Sequence, residues 1–153
     1  MKAKKIESLF TLGFSLVIFF SFIGGFILRE NSAGAGGING DFYLIWKNLD
    51  LFKNNILDNL NSKEYNDSRT PLAYILHVLL NPFIETQNQF RLSVLFISLL
   101  CPIFFFLTLR EKYKNVDFSL TVLISSLILL SPYFRTTAFW GLGENYAILF
   151  TLI

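Results

Sequence analysis

The sequence has a single cysteine, a single histidine and few charges, 16% of 153 residues. Cys101 lies alone in an apolar run, which excludes a disulfide framework and a paired-cysteine metal site. His77 has no second histidine or paired acid nearby in the chain, so it reads as a satisfied interface residue rather than a ligand. The formal charge of +2 is spread evenly. With no basic cluster interleaved with aromatics in a polar face, a nucleic-acid surface is excluded. There is neither an internal repeat nor a low-complexity linker. What the sequence does have is apolar surface: 53% hydrophobic residues and 18 phenylalanines, more than one soluble core of this size would bury. An all-α integral membrane protein is expected, forming a single membrane domain over residues 1–153.

Leu9–Leu28 is a 20-residue stretch without a charge, long enough to cross about 30 Å of hydrocarbon as a helix. Lys2, Lys4 and Lys5 precede it, and Ala33-Gly34-Ala35 follows it, a pattern shared with secretory signals. Its length exceeds the roughly 7 to 15 apolar residues of a signal core and favours a permanent span. Leu92–Leu109 is a second span, with Pro102 expected to kink it. Phe118–Phe134 is a third, ending at Ser131-Pro132-Tyr133. A fourth apolar run opens near Tyr146 and is still apolar at Ile153. Three to four transmembrane helices follow, and the sequence reads as the amino-terminal part of a longer polytopic chain.

Pro71–Ile84 spans only about 21 Å as a helix, too short to cross. Basic residues dominate before the first span (Lys2, Lys4, Lys5 against Glu7) and after the second (Arg110, Lys112, Lys114 against Glu111 and Asp117). Both flanks are therefore cytoplasmic by the positive-inside rule, and residues 29–91 form one long external loop. Within it, Phe42, Ile45, Trp46, Leu49, Phe52, Ile56 and Leu60 recur at three- and four-residue steps, predicting an amphipathic helix in the membrane plane. A second short interfacial helix starts at Thr70-Pro71 and ends at Asn81-Pro82. Asn66-Asp67-Ser68 between them fits a glycosylation triplet, a pattern common by chance.

An acidic residue early in the external loop, two juxtamembrane helices and then short-looped spans resemble the GT-C superfamily of polytopic glycosyltransferases. The bacterial aminoarabinose and protein-mannosyltransferase-like members are the nearest in kind. The stretches that carry the resemblance are Gly40-Asp41-Phe42-Tyr43, Arg69-Thr70-Pro71-Leu72-Ala73-Tyr74, Phe90-Arg91-Leu92-Ser93, and Ser131-Pro132-Tyr133-Phe134-Arg135 leading to Gly143-Glu144-Asn145. Each is short and degenerate, so order and spacing carry more than any one match. Two departures stand out: Asp41 lacks the adjacent Glu common in that family, and Glu144 stands where Asp is more usual.

The resemblance implies transfer of a sugar from a polyprenyl-phosphate donor to an external acceptor, in a multi-pass bacterial inner-membrane protein with a cytoplasmic amino terminus. The partners it implies are membrane lipid and the lipid-linked sugar. It makes Asp41 the catalytic base that takes the acceptor's proton. Arg69 and Arg135 become ligands for the donor phosphate, since guanidinium forks match phosphate oxygens. Glu144 orients the acceptor or shares a divalent cation with Asp41. Each residue also has a simpler reading: Asp41 caps the following helix, the two arginines anchor to lipid phosphate, and Glu144 is a solvated loop carboxylate. An assembly subunit or a transporter fragment, with the loop docking a partner, is the competing class.

Overall fold

The structure, a computed structural model, describes residues 2–31, 40–65, 67 and 71–153. All the regular structure among them is helical. Helix α1, Lys2–Ile27, has no charged residue after Glu7 and leaves Leu9, Phe10, Phe20 and other large side chains exposed, the surface expected of a lipid-facing rod. It ends in a Schellman motif: Arg29 N–H donates to Phe26 O (3.2 Å) and Glu30 N–H to Gly25 O (2.8 Å). Arg29 takes the left-handed position, φ 57°, where glycine is usual.

The second long helix, α5 (Gln87–Lys112), starts in a capping box, with Thr86 and Gln89 each accepting the other's backbone N–H. It runs as one helix through Pro102 and carries Arg110 and Lys112 in its last turn. α1 and α5 are long and apolar enough to cross a membrane.

The third expected span is not one straight helix. Asp117 caps α6, Phe118–Ser126, which tightens into a 3-10 turn over Leu127–Leu130. Helix α7, Pro132–Phe139, then leaves at 69°. The physical cause is Ser131-Pro132: proline forces the preceding residue out of the helical region, and Ser131 sits at φ −62°, ψ 121°, with its hydroxyl capping Phe134 N–H. The bent pair together passes as a broken span or a re-entrant segment. Where the fourth span was expected, α8 occupies Glu144–Leu152, a nine-residue helix.

The long amphipathic helix of the loop is also divided. Helix α2 covers Phe42–Asn54 and α3 covers Ile56–Leu60. Asn55 between them is extended, and its side chain accepts from Leu57 and Asp58 N–H, the local bonding by which asparagine competes with helix continuation. The apolar face of α2 is packed against the rest of the protein. Leu49 and Phe52 are fully buried, each contributing about 2 kcal/mol, and Phe52 stacks on Tyr74 of α4, Leu72–Leu80. At about 14 Å, α4 is even shorter than expected and cannot span. Thr70, its expected cap, lies outside the described residues, as do Asn66 and Ser68.

The helices close around one core. α1 packs along α6 and touches α7, α5 packs against α6, α7 and α8, and α2 sits on α4. A buried amide helps lock the carboxyl-terminal elements: Asn145 on α8 donates to Ser98 Oγ on α5 (3.0 Å) and Phe134 O on α7 (3.3 Å) and accepts from Thr137 Oγ1.

Candidate functional site

Arg29, at the end of α1, and Arg91, in the first turns of α5, line one cavity of about 370 Å³. The end of the first long helix and the start of the second therefore lie on the same side, and Phe42 and Tyr43 of α2 complete a wall there. Trp140 forms another wall, held by its indole N–H donating to Glu30 O at 2.9 Å. Gly141 fixes that tryptophan: it closes α7 at φ 67°, and a Cβ in its place would meet Phe90 Cε1 at 2.6 Å.

Arg91 is only 5% exposed. Its Nε donates to Phe139 O at 2.7 Å, and its guanidinium carbon stands 4.2 Å from the Trp140 ring and 5.0 Å from that of Phe26. Its Nη2 is buried without a hydrogen-bond partner. Thr86, Gln87 and Asn88, at the amino end of α5, complete the lining. The capping box already takes the Gln89 and Thr86 amides, and the helix end contributes the positive end of its dipole. Two guanidiniums, a helix amino terminus and no carboxylate among the described lining residues make this a cavity of positive potential.

Asp41 forms a π-type turn with Gly40 directly ahead of the wall residues Phe42 and Tyr43. It occupies the N-cap position of α2, yet its backbone is already helical, φ −63°, ψ −42°, and its side chain makes no capping bond. The simpler reading of this residue as a cap is therefore not realised. Asp41 itself is not among the residues that line the cavity.

Arg135, read from the sequence as a phosphate ligand, has its guanidinium engaged within the protein. Its Nε and Nη2 both bond the Glu30 carboxylate, the first at 2.9 Å, while Nη1 donates to Leu129 O and Nη2 to Ser21 O. The pair is nested against Gly25, where a Cβ would collide with both charged groups and approach Phe139 Cε2 to 2.9 Å. The guanidinium that sequence order offered to a substrate is used instead to bind α7 to the end of α1. Arg69, the other expected phosphate ligand, lies outside the described residues.

Glu144 opens α8 next to Gly143, which lines a second, largely apolar cavity of about 580 Å³ with His77 and Tyr146. The neighbours of Asp41 and of Glu144 thus wall different cavities. Among the described residues no group of three or more His, Cys, Asp or Glu is placed to hold a metal ion.

His77 is satisfied, as expected. Asn81 Nδ2 donates to its Nδ1 (3.0 Å) and to Ser93 Oγ (2.8 Å), and Asn81 Oδ1 accepts from Phe83 N–H. The His77 Nε2 proton then faces Tyr146 Oη at 2.9 Å. Burial pushes the imidazole down to about 4, so it is held neutral in the tautomer this network requires.

No known protein family, curated protein or solved structure matches the chain. The residues that converge most clearly, Arg29 and Arg91, stand in the sequence as the basic boundaries of two apolar runs, Arg91 also within Phe90-Arg91-Leu92-Ser93. Their common feature was available: they flank the loop-side ends of successive spans.

Proposed function

We propose that this chain belongs to a membrane glycosyltransferase that moves a sugar from a polyprenyl-phosphate donor to an external acceptor, with Asp41 as base. The observation that carries the reading is the positive cavity between the ends of α1 and α5, walled by the two residues that follow Asp41. In the reaction the acceptor hydroxyl attacks the sugar carbon, a new carbon–oxygen bond forms, and the bond to the phosphate breaks. The proton passes to the Asp41 carboxylate, and the electron pair leaves on polyprenyl phosphate. Cations next to the leaving oxygen lower the barrier by stabilising the charge that develops there. In this reading the amino terminus is cytoplasmic in a bacterial inner membrane, α2 to α4 lie outside at the interface, the bent α6–α7 pair is the third span and α8 begins the fourth.

The test is transfer itself. Membranes containing the full protein, supplied with radiolabelled polyprenyl-phosphate sugars, should release polyprenyl phosphate and label an acceptor. No release above control membranes for any such donor would contradict the reading. One observation favours the non-catalytic alternative, a loop that docks a partner: Arg135, expected to bind substrate, is spent on the fold. That alternative predicts no turnover and co-purification of a second membrane protein.

A further inference from the structure

We propose that the cavity of about 580 Å³ bordered by α4, α5 and α8 binds an uncharged acyl lipid, with Tyr146 donating its hydroxyl proton to an ester carbonyl. The direction of each hydrogen bond behind that tyrosine is fixed. Ser93 Oγ donates to Phe90 O (2.7 Å), so it accepts from Asn81 Nδ2. Asn81 Oδ1 is taken by Phe83 N–H, which orients the amide so that its other Nδ2 proton goes to His77 Nδ1. His77 Nε2 therefore carries the imidazole proton and donates it to Tyr146 Oη at 2.9 Å. Tyr146 is the open end of this chain: among the described residues its own O–H has no acceptor, and the residue lines the cavity. A ligand oxygen completes the chain, and a carbonyl, which only accepts, suits one that ends in a donor.

The lining selects against charge. None of the described residues around the cavity is Asp, Glu, Lys or Arg, and burial keeps His77 neutral. Leu72, Leu76, Leu80, Phe83, Phe96 and Phe150 line it yet remain 43% to 75% exposed, so its rim is apolar. Phe96 lies on α5, one of the two helices long enough to cross a membrane, which gives a molecule dissolved in lipid a route to the cavity. A phospholipid seated by its ester carbonyl would draw a phosphate against this carbon rim, with no cation to meet it, at a desolvation cost that an uncharged head avoids. Diacylglycerol has the carbonyl and no charge. The volume is that of an ordinary small-molecule site, enough for the glycerol ester and the start of an acyl chain. Nothing in this assignment rests on the transferase reading, and the two can fail separately.

The full protein in phosphatidylcholine nanodiscs is exposed to a diacylglycerol that carries a photoreactive diazirine on one acyl chain, and the adducts are mapped by peptide mass spectrometry. Saturable labelling of α4, α5 and α8 around the cavity is expected, displaced by unlabelled diacylglycerol and not by phosphatidic acid or a polyprenyl phosphate. Gly143→Leu fills the space without disturbing the fold, since a Cβ there meets nothing within 4 Å and a φ of −76° suits any residue. It should lower the labelling about tenfold or more, the scale of overpacking an occupied site. Tyr146→Phe keeps the ring and removes the donor, and should weaken apparent affinity roughly fivefold, the worth of one neutral hydrogen bond. Labelling no higher around the cavity than along the exposed face of α1, equal labelling by a phosphatidylcholine probe, displacement by either phosphate lipid, or labelling that either variant leaves intact would overturn the proposal.

Discussion

Arg135 and Glu30, 105 residues apart, form a two-pronged ion pair that fastens α7 to the end of α1. The arginine side chain is 8% exposed and the glutamate 30%, so the pair is shielded from water on the cationic side. Gly25 gives it room, and the Phe22 and Phe139 rings stand 5.8 Å and 5.5 Å from the guanidinium.

Removing one partner leaves the other charge buried and unmatched. Glu30→Gln should therefore lower stability by about 3 kcal/mol, read as loss of the folded fraction in detergent with rising denaturant. Gly25→Ala, which forces a methyl group into the pair, should cost a further class of energy, overpacking, of about 1 to 3 kcal/mol. Near-wild-type stability of both would show that the pair does not fasten the helices.

Arg29→Gly should act in the opposite sense on stability. The left-handed conformation costs an L-residue about 1 kcal/mol or more that glycine avoids. Thermal unfolding of the variant should occur at or above the wild-type temperature. A clear fall in melting temperature would mean that the Arg29 side chain holds the fold.

The His77 network sets a pH dependence. Its folded value near 4 lies below the ordinary 6.5, so the unfolded chain binds the proton more readily than the folded one. The contribution is fully present above pH 6.5 and is lost progressively as pH falls from there towards 4. Unfolding followed across that window should show declining stability, and His77→Gln should flatten the slope. A wild-type slope in the variant would assign the pH effect to other groups.

Topology can be checked with cysteines placed in a Cys101→Ala background. Asn61 and Lys112 are both exposed, at the end of α3 and the end of α5. A membrane-impermeant thiol reagent added to intact cells should modify Asn61→Cys and spare Lys112→Cys. Modification at 112 from outside would invert the orientation.

The spans were legible because composition alone dictates them: Leu9–Leu28 and Leu92–Leu109 have no charge and few alternatives to a helix. Their ends were less so, since the Thr86–Gln89 capping box extends α5 five residues ahead of its apolar run. The break at Asn55 was hidden by an apolar spacing that continues unchanged from Phe42 to Leu60, while the competing signal was one side chain bonding its own backbone. Ser131-Pro132 marked an ending, but not that the chain would turn by 69° and continue as helix. The role of Arg135 could not be read at all. Its partner is on another helix, and nothing in local sequence distinguishes an arginine facing a carboxylate from one facing a substrate. The same distance effect made Arg29 and Arg91 look like ordinary span boundaries.

The most direct test of the transferase reading is the turnover of Asp41→Asn in the full protein. Asparagine keeps the size and polarity of the side chain, and Asp41 makes no capping bond that could be lost, so expression and melting temperature should stay at wild type. Turnover of a polyprenyl-phosphate sugar should fall by on the order of a hundredfold or more, the usual contribution of a positioned general base. Retention of near-normal turnover by Asp41→Asn would contradict the account and remove Asp41 from the chemistry.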